Sequence, residues 1–253
     1  MNADDIKKII EDVSSGVRTV DSAFNELSKL PFSEMGFAKV DSHRPLRNGF
    51  SEVIFCAGKR LEHLLSIVEE IDSKGHNAFG TRADEIVLDA VSKKFPKAIC
   101  DPVSRTFRII NRQVEKNPAK IALLCAGTAD VPVAEEARVT AEYFGAEVVR
   151  HYDVGVAGLH RLLASIDDIK SADCVIAVAG MEGALPSVVG GLVEAPVIAV
   201  PTSVGYGSSF GGVTALLAML NSCSEGISVV NIDSGFGAAC AAMRIIRRNK
   251  AKL

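Results

Sequence analysis

Cys223 differs from the other cysteines of the chain in its surroundings. It lies in the polar run Asn221-Ser222-Cys223-Ser224-Glu225-Gly226, directly after a helix-like stretch, whereas Cys56, Cys125 and Cys174 sit inside the apolar runs EVIFCAG, IALLCAG and DCVIAV. A free cysteine in an apolar run behaves as a small buried hydrophobe. A polar loop near helix ends favours the thiolate, the form that attacks carbon, so Cys223 is the candidate nucleophile. Its other reading is a helix-terminal cysteine packed under a sheet. With Cys100 and Cys240 the chain has six cysteines and no CxxC pair, which argues against a zinc knuckle and against a disulfide framework.

Glu182 stands between glycines in Gly180-Met181-Glu182-Gly183. A carboxylate in so tight a turn is either a general base or a turn acceptor. The run Gly205-Tyr206-Gly207-Ser208-Ser209-Phe210-Gly211-Gly212 combines glycines, hydroxyls and a following apolar helix. That combination suits a phosphate or carboxylate, although glycine-rich turns are common. Asp130, in Ala126-Gly127-Thr128-Ala129-Asp130, either caps a helix or holds a cation or ribose. His151 and His160 flank Asp153 without metal-site spacing. There is no GxxxxGK[ST] run, and no GxGxxG follows the first strand of this half, so a P-loop nucleotide hydrolase is disfavoured.

These loops need strands to hold them. Short apolar runs occur at Ile121 to Gly127, Ala146 to Tyr152, Asp173 to Gly180, Pro196 to Thr202 and Ile227 to Asp233. Helix candidates alternate with them: Val133 to Phe144, Leu159 to Ile169, Leu185 to Val193, Phe210 to Leu220 and Phe236 to Arg248. Strands apolar on both faces with helices between them predict a doubly wound parallel α/β sheet. Ligands then bind beyond the carboxyl ends of the strands, where the βα loops converge. The polar segment Asn111 to Pro118 reads as a linker, giving an N-terminal α/β domain over 1–117 and the sheet domain over 118–253. In the first part, Asp4 to Val13, Thr19 to Leu30, Leu61 to Ile71 and Ala83 to Phe95 read as helices, and FAKVD, EVIFCAG and NAFGTR as strands.

The 253 residues are 48% hydrophobic and carry a formal net charge of −3. No broad positive field is available for nucleic acid, and no apolar run approaches the roughly 20 residues of a membrane helix. The charged start MNADDIKKII is unlike a signal peptide, so a cytoplasmic protein without nucleic-acid or membrane partners is expected.

Taken together, several segments resemble a known family. They are Asp41-Ser42-His43-Arg44-Pro45-Leu46-Arg47-Asn48-Gly49, Glu52-Val53-Ile54, Gly58-Lys59, Thr81-Arg82, Asp153 to Gly158 with His160-Arg161, Ala179 to Pro186, Pro201 to Gly207, Met219 to Cys223 and Asn231 to Gly237. The second half resembles the PurE fold of aminoimidazole ribonucleotide carboxylases, and the whole chain resembles the LarB family of nickel-pincer cofactor biosynthesis. In the purine enzymes a histidine precedes Leu-Pro in the corresponding loop, whereas Ala184 stands there in this chain.

The resemblance implies carboxylation of nicotinic acid adenine dinucleotide by CO2 at pyridinium C5. Hydrolysis of the phosphoanhydride then gives pyridinium-3,5-biscarboxylic acid mononucleotide and AMP. It implies Cys223 as the nucleophile at C4 and Glu182 as the base. It further implies substrate contacts from Thr128, Asp130, Asp153, His160, Gly180, Met181, Tyr206, Gly207, Ser208, Ser209, Arg44, Arg47, Lys59 and Arg82. The three arginines Arg44, Arg47 and Arg82 read equally well as domain-bridging ion pairs. The expected cofactor is Mg2+, held by Asp130 at the pyrophosphate, with CO2 as co-substrate and no tightly bound organic cofactor. A PurE-like fold implies a homo-oligomer, an octamer in that family. The rival readings are a purine-type carboxylase or mutase and a non-catalytic nucleotide-binding protein.

Overall fold

The computed structural model describes residues 3–27, 32–41 and 44–250. Ser42 and His43 of the family-like segment, and the last three residues of the helix expected over Thr19 to Leu30, lie outside them. The chain divides into two compact units, residues 1–100 with 107–113, and residues 101–106 with 114–253.

The first unit begins with helices α1 (Ala3–Ser14) and α2 (Val20–Leu27) and the antiparallel pair β1 (Phe32–Glu34) and β2 (Lys39–Asp41). Then come α3 (Arg44–Asn48), β3 (Ile54–Phe55), α4 (Leu61–Ser73), β4 (Ala78–Thr81), α5 (Glu85–Lys94), β5 (Ile99–Asp101) and β6 (Thr106–Ile109). Strands β3 and β4 are parallel, β6 runs antiparallel to β4, and the sheet order is β3-β4-β6-β5. The core joins Leu64, Val68 and Ile71 of α4 to Val87, Leu88 and Val91 of α5 and to Phe107 and Ile109 of β6. Gly80 is required in β4 because an added Cβ would lie 2.1 Å from the Phe107 ring. The short β1, β5, β6 and α3 were not expected from the sequence; strands of three or four residues hold too few positions to show a period.

In the second unit, β7 (Lys120–Cys125), β8 (Glu147–His151), β9 (Cys174–Ala179), β10 (Val197–Pro201) and β11 (Ile227–Val229) form one parallel sheet in the order β11-β10-β9-β7-β8. Between and after them run α6 (Val131–Tyr143), α7 (Leu159–Leu163), α8 (Ile166–Lys170), α9 (Leu185–Gly190), α10 (Val213–Leu220) and α11 (Gly235–Lys250). Central strands β7 and β9 are buried almost throughout, as their unbroken apolar runs require. Leu162, Ile169, Leu185, Val189 and Met219 cover one face of the sheet. On the other, α11 packs against α6, β9 and β10. The doubly wound α/β sheet expected from the alternating pattern is therefore present.

Three expected helices of the second unit are shorter, that over Leu185 to Val193 ending at Gly190. The stretch Leu159 to Ile169 divides at Ala164-Ser165, because Ser165 leaves helical geometry and Asp167 and Asp168 open a new first turn. The helix expected from Phe210 starts at Val213, because Phe210, Gly211 and Gly212 are left-handed. Among the described residues, no helix is long and apolar enough to cross a membrane.

Candidate active site

In a sheet of this order the switch point lies between β7 and β9, where the loops leave toward opposite sides and open a crevice. Asp130 occupies it. It heads α6 by position, yet its side chain caps nothing there. One carboxylate oxygen instead accepts the Gly127 N–H at 3.1 Å and the other accepts the Thr202 hydroxyl at 2.5 Å, with Gly180 donating a further backbone hydrogen bond. Asp130 thus ties the ends of β7, β9 and β10 together. Burial raises its pKa, and neighbouring Asp233 adds to the rise against these donors.

The β9 loop is laid onto the β10 loop. Thr202 N–H donates to Ala179 O at 3.0 Å, and Met181 N–H to Val204 O at 2.8 Å. Gly180 makes this approach possible, since a Cβ there would lie 2.4 Å from Val204 O and 2.6 Å from Thr202 Oγ1. Met181 then takes a left-handed φ of 51° and Gly183 one of 67°, a bend that leaves Glu182 exposed at the tip. Among the described residues no hydrogen bond reaches its carboxylate. Left-handed non-glycine residues recur in the neighbouring loops: Asp153 after β8, Phe210 after β10 and Asp233 after β11. Each costs about 1–3 kcal/mol, and such strain gathers at functional sites.

Around this crevice Thr128, Asp153, His160, Tyr206, Gly207 and Ser208 are exposed, and Ser209 is buried with its N–H on Tyr206 O. Asp153 pairs with Arg161, and Asp233 accepts the Ser203 N–H at 2.8 Å. Asp233 and Arg161 were not expected as contact residues, nor was the tie of Thr202 to Asp130, 72 positions away, a distance no local pattern bridges.

The donor set does not fit a Mg2+ ion at Asp130. Its carboxylate already serves three protein donors, and no group of three or more His, Cys, Asp or Glu suited to a metal exists among the described residues.

Cys223 is exposed, in the turn after α10. The turn is fixed to α9: Ser187 Oγ donates to Ser222 Oγ at 2.7 Å and Ser224 Oγ donates to Ser187 O at 2.6 Å. Cys56, Cys125 and Cys174 are buried, and burial pushes each thiol up to about 12. Cys100 and Cys240 are half-buried, and Cys223 is the one fully exposed cysteine of the six.

The cations Arg44, Arg47, Lys59 and Arg82 belong to the first unit. Glu52 accepts the Asp41 N–H at 2.7 Å; burial raises its pKa while the charges of Arg44 and Lys59 oppose the rise. Arg47 pairs with Asp41. Lys59 follows β3 and Arg82, left-handed at φ 56°, follows β4, so both lie at the carboxyl ends of that unit's parallel strand pair.

Known proteins match along most of this chain. Residues 32–112 match the LarB/PurE-like N-terminal domain, and residues 120–253 match AIR carboxylase. An uncharacterized protein of Methanocaldococcus jannaschii is 43% identical over 208 residues, covering 79% of this chain and 80% of its own length. The N5-carboxyaminoimidazole ribonucleotide mutase of the same organism is 35% identical over 131 residues, covering 50% of this chain and 78% of its own. A carboxylase sheet domain preceded by this N-terminal domain is the LarB arrangement, and the chain belongs to the LarB family, with a PurE-like AIR carboxylase domain and a carboxylase type of function.

Proposed function

We propose that the protein carboxylates nicotinic acid adenine dinucleotide at pyridinium C5 and hydrolyses its phosphoanhydride. The observation that carries this reading is the accessible thiol of Cys223 in a carboxylase fold. A pyridinium ring is electron-poor and does not attack CO2. Addition of the Cys223 thiolate at C4 forms a C–S bond and turns the ring into a dihydropyridine, whose enamine makes C5 a carbon nucleophile. C5 attacks CO2 and a C–C bond forms. Glu182 then takes the C5 proton, the electrons of that C–H bond form the C4–C5 double bond, and the thiolate leaves as aromaticity returns. The balance is redox-neutral: dinucleotide plus CO2 gives carboxylated dinucleotide and a proton. Water then splits the anhydride to pyridinium-3,5-biscarboxylic acid mononucleotide and AMP.

The exposed loop Tyr206 to Ser208 suits a substrate phosphate, and Arg44, Lys59 and Arg82 suit phosphate or carboxylate. The similarity to a ribonucleotide mutase favours a second reading, carboxyl transfer on an aminoimidazole ribonucleotide. Ala184, where the purine enzymes carry histidine, weighs against it.

The test is incubation with the dinucleotide and labelled bicarbonate, following product mass and AMP release for wild type and Cys223→Ala. One added carboxyl from wild type and none from the variant supports the reading. Label entering an aminoimidazole ribonucleotide in both proteins would replace it with the purine reaction.

A further inference from the structure

Both chain neighbours of Cys223 are held by one residue of another helix. Ser187, the third residue of α9, donates its hydroxyl to Ser222 Oγ at 2.7 Å, and its backbone carbonyl accepts the Ser224 hydroxyl at 2.6 Å. The Ser224 N–H completes the clamp by donating to Ser222 Oγ at 3.2 Å. Cys223, between the two held serines, is exposed. A serine inside a helix ordinarily turns its hydroxyl to solvent or back to the carbonyl four residues earlier. Ser187 instead reaches a partner 35 positions along the chain, in the turn that carries the thiol.

The ends of that turn are fixed as well. Ser222 N–H donates to Met219 O at 3.3 Å, which joins the turn to α10, and Gly226 O accepts the Val197 N–H at 3.1 Å, which joins it to β10. Gly190 lets α9 come close, since a Cβ there would lie 3.1 Å from Ser224 Cβ and 3.0 Å from Ile227 Cδ1. With residues 222 and 224 fixed, the direction of the Cys223 Cα–Cβ bond is fixed too, and χ1 alone is left to place the sulfur. In a turn on the surface, water could satisfy the same hydroxyls. Bonded to α9, they narrow the positions open to the sulfur. Attack on a ring carbon needs the reacting atoms about 3–3.5 Å apart and aligned, and a displacement of about 1 Å costs on the order of a hundredfold.

We infer that Ser187 is a positioning residue for the nucleophile: resting on the reading of Cys223 as the group that adds to C4, its hydroxyl and carbonyl hold the two residues flanking Cys223 and so aim the sulfur. Ser187 acts on where the sulfur stands, not on how readily the thiol ionises.

The test measures labelled bicarbonate incorporation into nicotinic acid adenine dinucleotide by wild type, Cys223→Ala, Ser187→Ala, Ser222→Ala and the Ser187→Ala/Ser222→Ala double variant. Alkylation of Cys223 by iodoacetamide is timed in each protein that keeps the cysteine. Ser187→Ala should lower kcat about 10- to 100-fold and leave KM for the dinucleotide within about twofold. Its alkylation rate, which needs no aim, should match that of wild type. Ser187→Ala and Ser222→Ala break the same bond, so the double variant should be no worse than Ser222→Ala alone. A Ser187→Ala kcat equal to that of wild type, whatever its urea midpoint, overturns the inference and leaves the chemistry standing. So does alkylation that slows in step with kcat, which would make Ser187 an activator of the thiol, and so do single losses that multiply in the double variant. Wild type that incorporates no label, or Cys223→Ala that incorporates as much as wild type, overturns the chemistry and this inference with it.

Discussion

Cys223 carries its sulfur on the surface, whereas burial holds Cys56, Cys125 and Cys174 as thiols. Alkylation by iodoacetamide without denaturant should modify Cys223 well ahead of these three, which should react only after unfolding; mass spectrometry of tryptic peptides reads the order. The contrast was legible in the sequence because an apolar run on both sides of a cysteine nearly dictates burial. The work of Asp130 was not. Its partner Thr202 comes from a different strand, so a cap was as reasonable an expectation as the cross-strand tie that is observed. Gly180→Ala is expected to cost about 1–3 kcal/mol by overpacking, because the added methyl meets backbone at 2.4 Å, and to lower activity by displacing Glu182. A urea midpoint unchanged from wild type would refute this account of the β9 loop.

Helix α6 is anchored by more than apolar contact. Arg138 donates to both Glu135 oxygens at 2.9 Å and to Glu142 at 2.7 Å, and Tyr152, just past β8, donates to Glu135. Asp101 lies 3.7 Å from the same guanidinium. The Arg138 and Glu135 side chains are mostly buried, so removing one partner strands the other. Arg138→Ala should cost about 3–5 kcal/mol, while replacing Arg138 and Glu135 together by apolar residues of similar size should cost much less; urea denaturation of both variants checks this. Strand and helix order in the second unit was readable because its central strands β7, β9 and β10 are nearly continuous apolar runs. The opening of α10 was not, since no periodicity reports the left-handed turn Phe210-Gly211-Gly212 that delays it. The three- and four-residue strands of the first unit lie below what a period of two can reveal.

Across the molecule, burial lowers the pKa of one histidine in each unit. In the first unit burial, with the nearby charge of Arg112, lowers His76 from 6.5 to about 4. A base whose folded pKa is depressed gives stability that is fully present above its unfolded pKa and is lost as pH falls through the folded value. Stability of that unit should therefore decline between about pH 6.5 and 4, and His76→Gln should flatten the decline. Urea midpoints at pH 7 and pH 5 for both proteins decide it; equal losses in both would dismiss His76 as the cause. In the second unit burial lowers His151 in the same direction.

The packing of α11 bears on how the second unit comes into being. Its Ala238, Ala239, Ala242, Met243 and Ile246 are buried, its first residue, Gly235, comes so close to α6 that a Cβ would lie 2.2 Å from Val133 O, and it covers β9 and β10. The ribosome makes the central strand β7 first among the strands of this sheet and makes this covering helix after every one of them. Helix α6 covers β7 and β8 on that face as they form, while the part over β9 and β10 stays exposed hydrocarbon until α11 arrives. That exposed strip is where the nascent chain is most open to aggregation until α11 has left the exit tunnel.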